Sequence, residues 1–204
     1  MYMGKSGLDL YLEEMWYVKN RMKAIEIIAT HQKSTSFRYT DIEFMTLQIR
    51  KIIEHIAMGN LVVNKELYNE YNDKFSSNWN AKYIFRDLER LNPQFYPIPV
   101  KTDYTVEPKR WVDIDEAYLT KDEAVKIYDK CGGLMHVPNP YGSQVDVFYY
   151  EKMIPIWYKK IFYLLNQHVI HMVGGEQMYC IVMCGDKNGN PHGYLFESVQ
   201  NEPD

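Results

Sequence analysis

The stretch TKDEAVKIYDKCGGLMHVPNPYG, residues 120–142, combines a helix start, a helix end and a fixed turn. Thr120 and Glu123 have the spacing of a capping box, in which each side chain bonds the other residue's free backbone N–H. The sequence therefore predicts a helix that begins at Thr120. The pair Gly132 and Gly133 is expected to end this helix, because glycine adopts the left-handed conformation that closes many helices.

The same stretch brings a cation and a histidine to the predicted helix end. Lys130 lies in the last turn, and His136 follows the glycine pair. Pro138 and Pro140 should keep the following residues out of helix, since proline has no backbone N–H. A histidine exchanges protons near neutral pH and a cation stabilises charge on a phosphate, so Lys130 and His136 form a candidate site.

Length and composition indicate one ordinary globular domain over residues 1–204. The hydrophobic fraction is 46% and the charged fraction is 25%, which are typical values. The aromatic fraction of 15%, with 18 Tyr, is high, and tyrosines on a surface mark contact faces. The net charge of −4 lacks the basic excess of broad nucleic-acid binders. We therefore expect no DNA partner, whereas a local RNA site remains compatible with the charge.

The cysteines and the hydropathy pattern indicate a cytoplasmic protein. The three cysteines are an odd number without a paired spacing, so no disulfide framework is predicted. No apolar run approaches the roughly 18 residues of a membrane span, and the acidic N-terminal segment is unlike a signal peptide. We expect neither export nor a membrane partner.

Three helices are predicted in the first half of the chain. Apolar residues recur in steps of three and four after Ser6, a candidate N-cap, which predicts a long amphipathic helix. Thr40 and Glu43 form a second capping-box pattern at the start of a longer helix. A third helix is expected from about Trp79 to Leu91, where an Asn-Pro pair stops it.

The second half is predicted to contain an extended strap, one long helix and a hairpin. The segment NPQFYPIPVKTDYTVEPKRW, residues 92–111, holds four prolines and is interpreted as a strap over the helices. Residues 148–173 are predicted to form the last long helix, with Pro155 at its start or at a kink. His168 would lie on its apolar face, more typical of a hydrogen-bonded core residue than of a ligand. A C-terminal β-hairpin is expected over about residues 176–200.

Histidines and cysteines near the C-terminus suggest a metal site, but they lack a recognised zinc spacing. No P-loop, dinucleotide fingerprint or HExxH motif occurs either, so we expect no metal and no cofactor. A nucleophilic pair of Cys131 and His136 lacks a predicted oxyanion hole. The residues that a metal site would recruit are His168, His171, Cys180, Cys184 and His192.

A polar cluster lies on the second predicted helix. Arg50 and Glu54 are four residues apart and can pair on one helix face, with His55 beside them. One interpretation is a solvated ion pair worth a few tenths of a kcal/mol, a small contribution. The other is that the cluster faces a neighbouring helix and forms part of a site.

These features resemble the HEPN superfamily, small helical bundles whose signature is an Arg about four to six residues before a His, next to a helix break. Lys130 and His136 have this arrangement, and the segment RKIIE, from Arg50 to Glu54, resembles the Arg and Glu of many members. The resemblance covers about residues 40–173. Lys130 stands where the family has Arg, and an ammonium does not reproduce the two-pronged grip of a guanidinium on phosphate.

The resemblance implies a mainly α fold, a helical bundle over about residues 6–173 with the C-terminal β-hairpin, and a homodimer. Active members cleave RNA without metal. By analogy His136 would transfer protons, Lys130 or Arg50 would bind phosphate, and Glu54 would orient one of them. Many members are inactive modules. The acidic composition and Lys130 favour a non-catalytic interaction or dimerisation module with a protein partner, in a bacterial defence or toxin system; the alternative is a metal-independent endoribonuclease.

Overall fold

A computed structural model describes residues 5–64, 80–137, 141–142 and 145–197, which form five helices and five strands. Pro138 and Pro140 lie outside these residues. The helices are α1 (Gly7–Ala29), α2 (Arg38–Val63), α3 (Ala81–Leu91), α4 (Lys121–Gly133) and α5 (Val147–Leu165). The strands are β1 (Ile98–Asp103), β2 (Arg110–Asp113), β3 (Gln167–His171), β4 (Gln177–Val182) and β5 (His192–Glu197).

The five strands form one antiparallel sheet in the order β2-β1-β3-β4-β5. The prediction of a mainly α, all-helical bundle with only a C-terminal hairpin is therefore wrong, and the fold is mixed α/β. The expected hairpin is present as β4 and β5, but it is the outer part of a larger sheet. No helix in the described ranges is long and apolar enough to cross a membrane.

Helix α1 follows its sequence pattern. Ser6 accepts a hydrogen bond from the Asp9 backbone N–H at 3.1 Å, and Asp9 accepts one from the Ser6 N–H at 3.0 Å. This reciprocal capping box fixes the predicted start. The predicted apolar stripe is buried against α2 and the rest of the core: Tyr11, Met15, Val18, Met22 and Ile25.

Helix α2 begins earlier than the capping-box pattern predicts. Its first residue is Arg38, so Thr40 already lies in the first turn and donates its hydroxyl to the Phe37 carbonyl at 2.8 Å. Asp41 accepts a hydrogen bond from the Thr35 N–H at 2.7 Å. Asp41 therefore holds the preceding loop against the helix, and the predicted cap at Thr40 and Glu43 is wrong.

The strap prediction for residues 92–111 is also wrong, because this segment supplies β1 and the start of β2. Phe95 is buried, with its ring centroid 5.8 Å from that of Phe85. Strand β1 pairs with β3 only through Ile98 and Pro99, and its remaining residues pair with β2. The short pairing accommodates Pro99, which has no N–H to donate to a ladder.

The predicted helix over residues 148–173 is correct only as far as Leu165. Residues 167–171 form β3, and Gly174 and Gly175 take positive φ in the turn between β3 and β4. Pro155 lies inside α5 rather than at its start. The polypeptide therefore leaves the helix before His168, which is a core residue on a strand.

The sheet has two different faces. His168, Ile170 and Ile181 share the face that packs on the helices. Val169 and Cys180 project from the opposite face and are also buried, although they lie outside the main core cluster. A second element must therefore cover that opposite face, which we call the back face.

The β1–β2 hairpin covers the back face. Trp111 of β2 lies with its ring centroid 4.7 Å from that of Phe196 on β5, although these strands are the opposite edges of the sheet. Thr102, opposite Trp111, accepts a hydrogen bond from the Gln167 side chain at 2.9 Å. The sheet is thus strongly curled, and the hairpin folds over Val169 and Cys180.

Helix α4 starts as predicted but ends differently. Thr120 and Glu123 form the expected capping box, with the Glu123 N–H donating to the Thr120 hydroxyl at 3.3 Å. The helix ends at Gly133, followed by Leu134 in right-handed helical geometry. Neither Gly132 nor Gly133 has positive φ, so the expected left-handed closure is wrong.

Candidate functional site

Arg50 and Glu54 are residues of α2 whose side chains lie between α2 and α4. The Arg50 guanidinium is centred 3.7 Å from the Tyr128 ring centroid and donates to the Tyr128 carbonyl at 3.0 Å. The Arg50 Nε atom lies 3.5 Å from Glu54 Oε1, and the Tyr128 hydroxyl donates a hydrogen bond to Glu54 Oε1 at 3.2 Å. The polar cluster therefore faces a neighbouring helix, and its contacts fasten α2 to α4.

The absence of a side chain at Gly132 is explained by the packing of Arg50 against α4. A Cβ at this position would lie 3.0 Å from the Arg50 Nη1 atom, so the absent side chain lets the guanidinium approach α4. Cys131, the preceding residue, is buried, and burial raises the pKa of its thiol to about 12. A protonated, buried thiol is a poor nucleophile, which argues against chemistry by Cys131 with His136.

Lys130 and His136 do not come together with Arg50 in the described contacts. The Lys130 ammonium lies 4.8 Å from the centroid of the Tyr149 ring on α5. His136 is exposed, and no contact within the described residues joins it to Lys130, Arg50 or Glu54. Of the four predicted catalytic residues, only Arg50 and Glu54 contact each other.

His55 belongs to a different polar network, which is partly buried between α1 and α2. Arg21 donates from Nε to His55 Nε2 at 3.0 Å and from Nη1 to Gln48 at 2.6 Å. The lone pair of Nε2 is thus occupied, so Nδ1 carries the proton and donates to Glu14 at 2.6 Å. Tyr17 stacks on the imidazole, with ring centroids 5.2 Å apart and an interplanar angle of 8°.

This network was not predicted, although part of its signal is in the sequence. Glu14, Tyr17 and Arg21 are spaced by three and four residues, which places them on one face of α1. Their partners on α2 cannot be read from that spacing. Arg21 and Glu14 occupy both ring nitrogens of His55, so the network joins the two helices.

A cavity of about 420 Å³ lies between α1, α5 and the turn that joins β4 to β5. Its size lies in the usual range for small-molecule sites, roughly 300–1,000 Å³. Aromatic rings, amides and cations line it together. Its lining includes Trp16, Lys19, Lys23, Phe162, Asn166 and Asn188.

Lys19 fixes the turn that forms one wall of this cavity. Its ammonium donates to the Met183 carbonyl at 3.1 Å, contacts the Cys184 sulfur at 3.1 Å and bonds the Gly189 carbonyl. Asp186 closes the turn by accepting from the Asn190 N–H at 2.5 Å. The wall is therefore preorganised against α1.

The residues of the suggested metal site do not converge. His168 receives a hydrogen bond from the Tyr11 hydroxyl at 2.8 Å and bonds the Leu165 carbonyl at 2.9 Å, so both ring nitrogens are used. Cys180 projects from the other face of the sheet. Among the described residues, no group of three or more His, Cys, Asp or Glu side chains is arranged to hold a metal ion.

Comparison with known proteins finds no family model, no curated protein and no solved structure that matches this chain. The resemblance to the HEPN superfamily therefore gains no support from a relative. A fold alone does not specify a function, which depends on the residues and surfaces that the fold carries.

Proposed function

We propose that this protein is a non-catalytic interaction module that self-associates through its edge strand β5. Strand β5 is the last strand of the sheet, and no described strand pairs with its outer edge. Three consecutive large side chains on it are about half exposed: Tyr194 at 49%, Leu195 at 49% and Phe196 at 41%. An edge strand of this kind offers free backbone groups and apolar surface to another strand.

The sequence of β5 is compatible with pairing to a second copy of itself. Side chains directly opposite each other must share a face, so a two-fold axis can pass through Leu195. Leu195 then faces its own counterpart, and each Tyr194 faces Phe196 of the second copy. Aromatic cross-strand pairs contribute about 0.2–1 kcal/mol each. Glu197 would face Gly193, so this register places no like charges opposite each other.

The contacts of the four predicted catalytic residues support a module without catalysis over the endoribonuclease alternative. Arg50 and Glu54 are used to pack α2 against α4. Lys130 lies over an aromatic ring, and His136 has no described contact with any of the three. A ribonuclease would need the cation and the histidine at one phosphate.

Self-association is tested by light scattering coupled to size-exclusion chromatography. We expect a wild-type dimer and a Leu195→Lys monomer at the same concentration, because the lysine places a charge on the two-fold axis. Leu47→Lys is the matched control, since Leu47 is an exposed leucine on α2, and it should remain dimeric. A monomeric wild type, or a Leu195→Lys variant as dimeric as wild type, would contradict the proposal.

The absence of catalysis is tested by incubating purified protein with total cellular RNA in excess EDTA. Circular dichroism first establishes that wild type and His136→Ala are both folded. We expect no cleavage by either. Cleavage by wild type that His136→Ala abolishes would instead establish the metal-independent endoribonuclease.

A further inference from the structure

Two exposed aromatic rings line the cavity between α1, α5 and the β4–β5 turn. Trp16 of α1 is 45% exposed and Phe162 of α5 is 44% exposed. Aromatic rings of this size usually bury their faces in a core or an interface. Rings presented from two different helices into one cavity are suited to a planar ligand that stacks on them.

The cavity also offers amides with unused hydrogen-bonding groups. Asn166 and Asn188 are exposed at its edge, and neither side-chain amide bonds a residue in the described part of the chain. Asn20, on the same wall as Trp16, uses its amide nitrogen on the Trp16 carbonyl at 2.8 Å. An amide carries donors and an acceptor side by side, which matches the edge of a nucleobase.

The charges at the cavity favour an anion at one end. Lys23 is exposed, and its ammonium has no described partner, whereas Lys19 is held by the turn. Glu26 also lines the cavity and lies near Tyr158, whose pKa is raised by burial and then by the Glu26 charge. Two cations and one carboxylate leave a net positive charge, with Lys23 as the free point charge for a phosphate.

We propose that this cavity binds a mononucleotide. The base stacks on Trp16 and Phe162, the amides of Asn166 and Asn188 bond its edge, and the phosphate lies at Lys23. The volume of about 420 Å³ suits one nucleotide rather than a strand of several. The site is separate from β5, so the inference does not depend on the proposed self-association.

The test is titration of the 204-residue protein with AMP, GMP, CMP and UMP by isothermal calorimetry. At least one should bind saturably with a 1:1 stoichiometry. Trp16→Leu should weaken that binding by roughly tenfold or more, which is the loss expected when a stacked base loses its ring. Lys23→Ala should weaken it as well, but should leave binding of the matching nucleoside, which has no phosphate, unchanged.

Two control variants carry the same chemical changes elsewhere. Tyr83→Leu removes a similarly exposed ring on α3, and Lys126→Ala removes an exposed lysine on α4. Both should bind as wild type does. The proposal is overturned if no mononucleotide binds at millimolar concentration, if Trp16→Leu binds unchanged, or if only a single-stranded oligonucleotide binds.

Discussion

His168 is a fully buried histidine that the core holds in its neutral form. The Tyr11 hydroxyl donates a hydrogen bond to Nε2, and the Nδ1–H group donates one to the Leu165 carbonyl. Burial lowers the pKa of His168 from 6.5 to about 4. An imidazolium at this position would lie against apolar side chains, and the Tyr11 hydroxyl would have to turn from donor to acceptor.

This pKa predicts an acid-sensitive stability. In the unfolded protein His168 takes up a proton below about pH 6.5, whereas in the folded protein it does so only below about pH 4. The free energy of unfolding therefore falls as the pH falls from about 6.5 to about 4. Between about pH 7.5 and pH 5 the loss due to His168 should be about 2 kcal/mol. Urea denaturation at both pH values measures it.

The matched variants for this measurement are His168→Gln and His136→Gln. His168→Gln should have a lower stability overall but should lack this part of the pH dependence, because glutamine does not titrate. His136→Gln, which changes an exposed histidine, should keep the wild-type dependence. An unchanged pH slope in His168→Gln would show that the buried imidazole is not its source.

At the scale of elements, two identical capping-box patterns have different outcomes. Thr120 caps α4, and its partner Glu123 also forms an ion pair with Lys160 of α5. Thr40 lies inside the first turn of α2, and its hydroxyl bonds to Phe37 and Thr35, which precede the helix. The pattern therefore marks the start of α4, where the residues just before Thr120 are not helical. It does not mark the start of α2, which begins at Arg38, behind a loop that Asp41 holds.

This difference predicts unequal costs for the same substitution. Thr120→Ala should lower the free energy of unfolding by about 1 kcal/mol, because the N–H of Glu123 loses its acceptor. Thr120→Ser should be close to wild type, since serine keeps the hydroxyl. Thr40→Ala should cost less than Thr120→Ala in the same urea titration, and equal losses would contradict the observed start of α2.

Strand β3 could not have been distinguished from helix by its sequence. Ile161, Leu164, His168 and Met172 continue the three-and-four spacing of α5 across the chain's exit from the helix. No glycine or proline marks that exit. The central residues of β3, from His168 to Ile170, are buried on both faces of the sheet, so the alternation that identifies a half-exposed strand is missing.

The candidate sites show a similar limit. Arg50 and Glu54 are found by spacing because both lie on one helix. Glu14 and His55 are 41 residues apart, and no local pattern joins them. The cavity gathers residues from two helices and a turn, so its existence depends on how α1, α5 and the sheet pack, which one sequence does not fix.

At the scale of the whole molecule, the curl of the sheet divides the protein into two buried regions. The main core lies between the helices and one sheet face, and the smaller region lies under the β1–β2 hairpin. Cys131 belongs to the first and Cys180 to the second, whereas Cys184 is exposed. Each region thus contains one protected thiol.

Thiol labelling can therefore report on each region separately. With iodoacetamide and mass spectrometry, we expect Cys184 alone to react in the native protein and all three cysteines to react in denaturant, because burial hides Cys131 and Cys180 and raises the pKa of both thiols. Trp111→Ala removes the ring that closes the hairpin over the back face. In that variant Cys180 should become reactive while Cys131 stays protected.

The protection of Cys131 is the internal control in this experiment. If both buried thiols react in Trp111→Ala, the variant has lost its fold as a whole, and the milder Trp111→Phe, which keeps an aromatic ring, should restore protection of Cys180. Reaction of Cys180 as fast as Cys184 in the wild type would contradict a covered back face. Selective exposure of Cys180 would instead show that the hairpin opens without the helical core, as expected for a region joined to β3 through only two residue pairs.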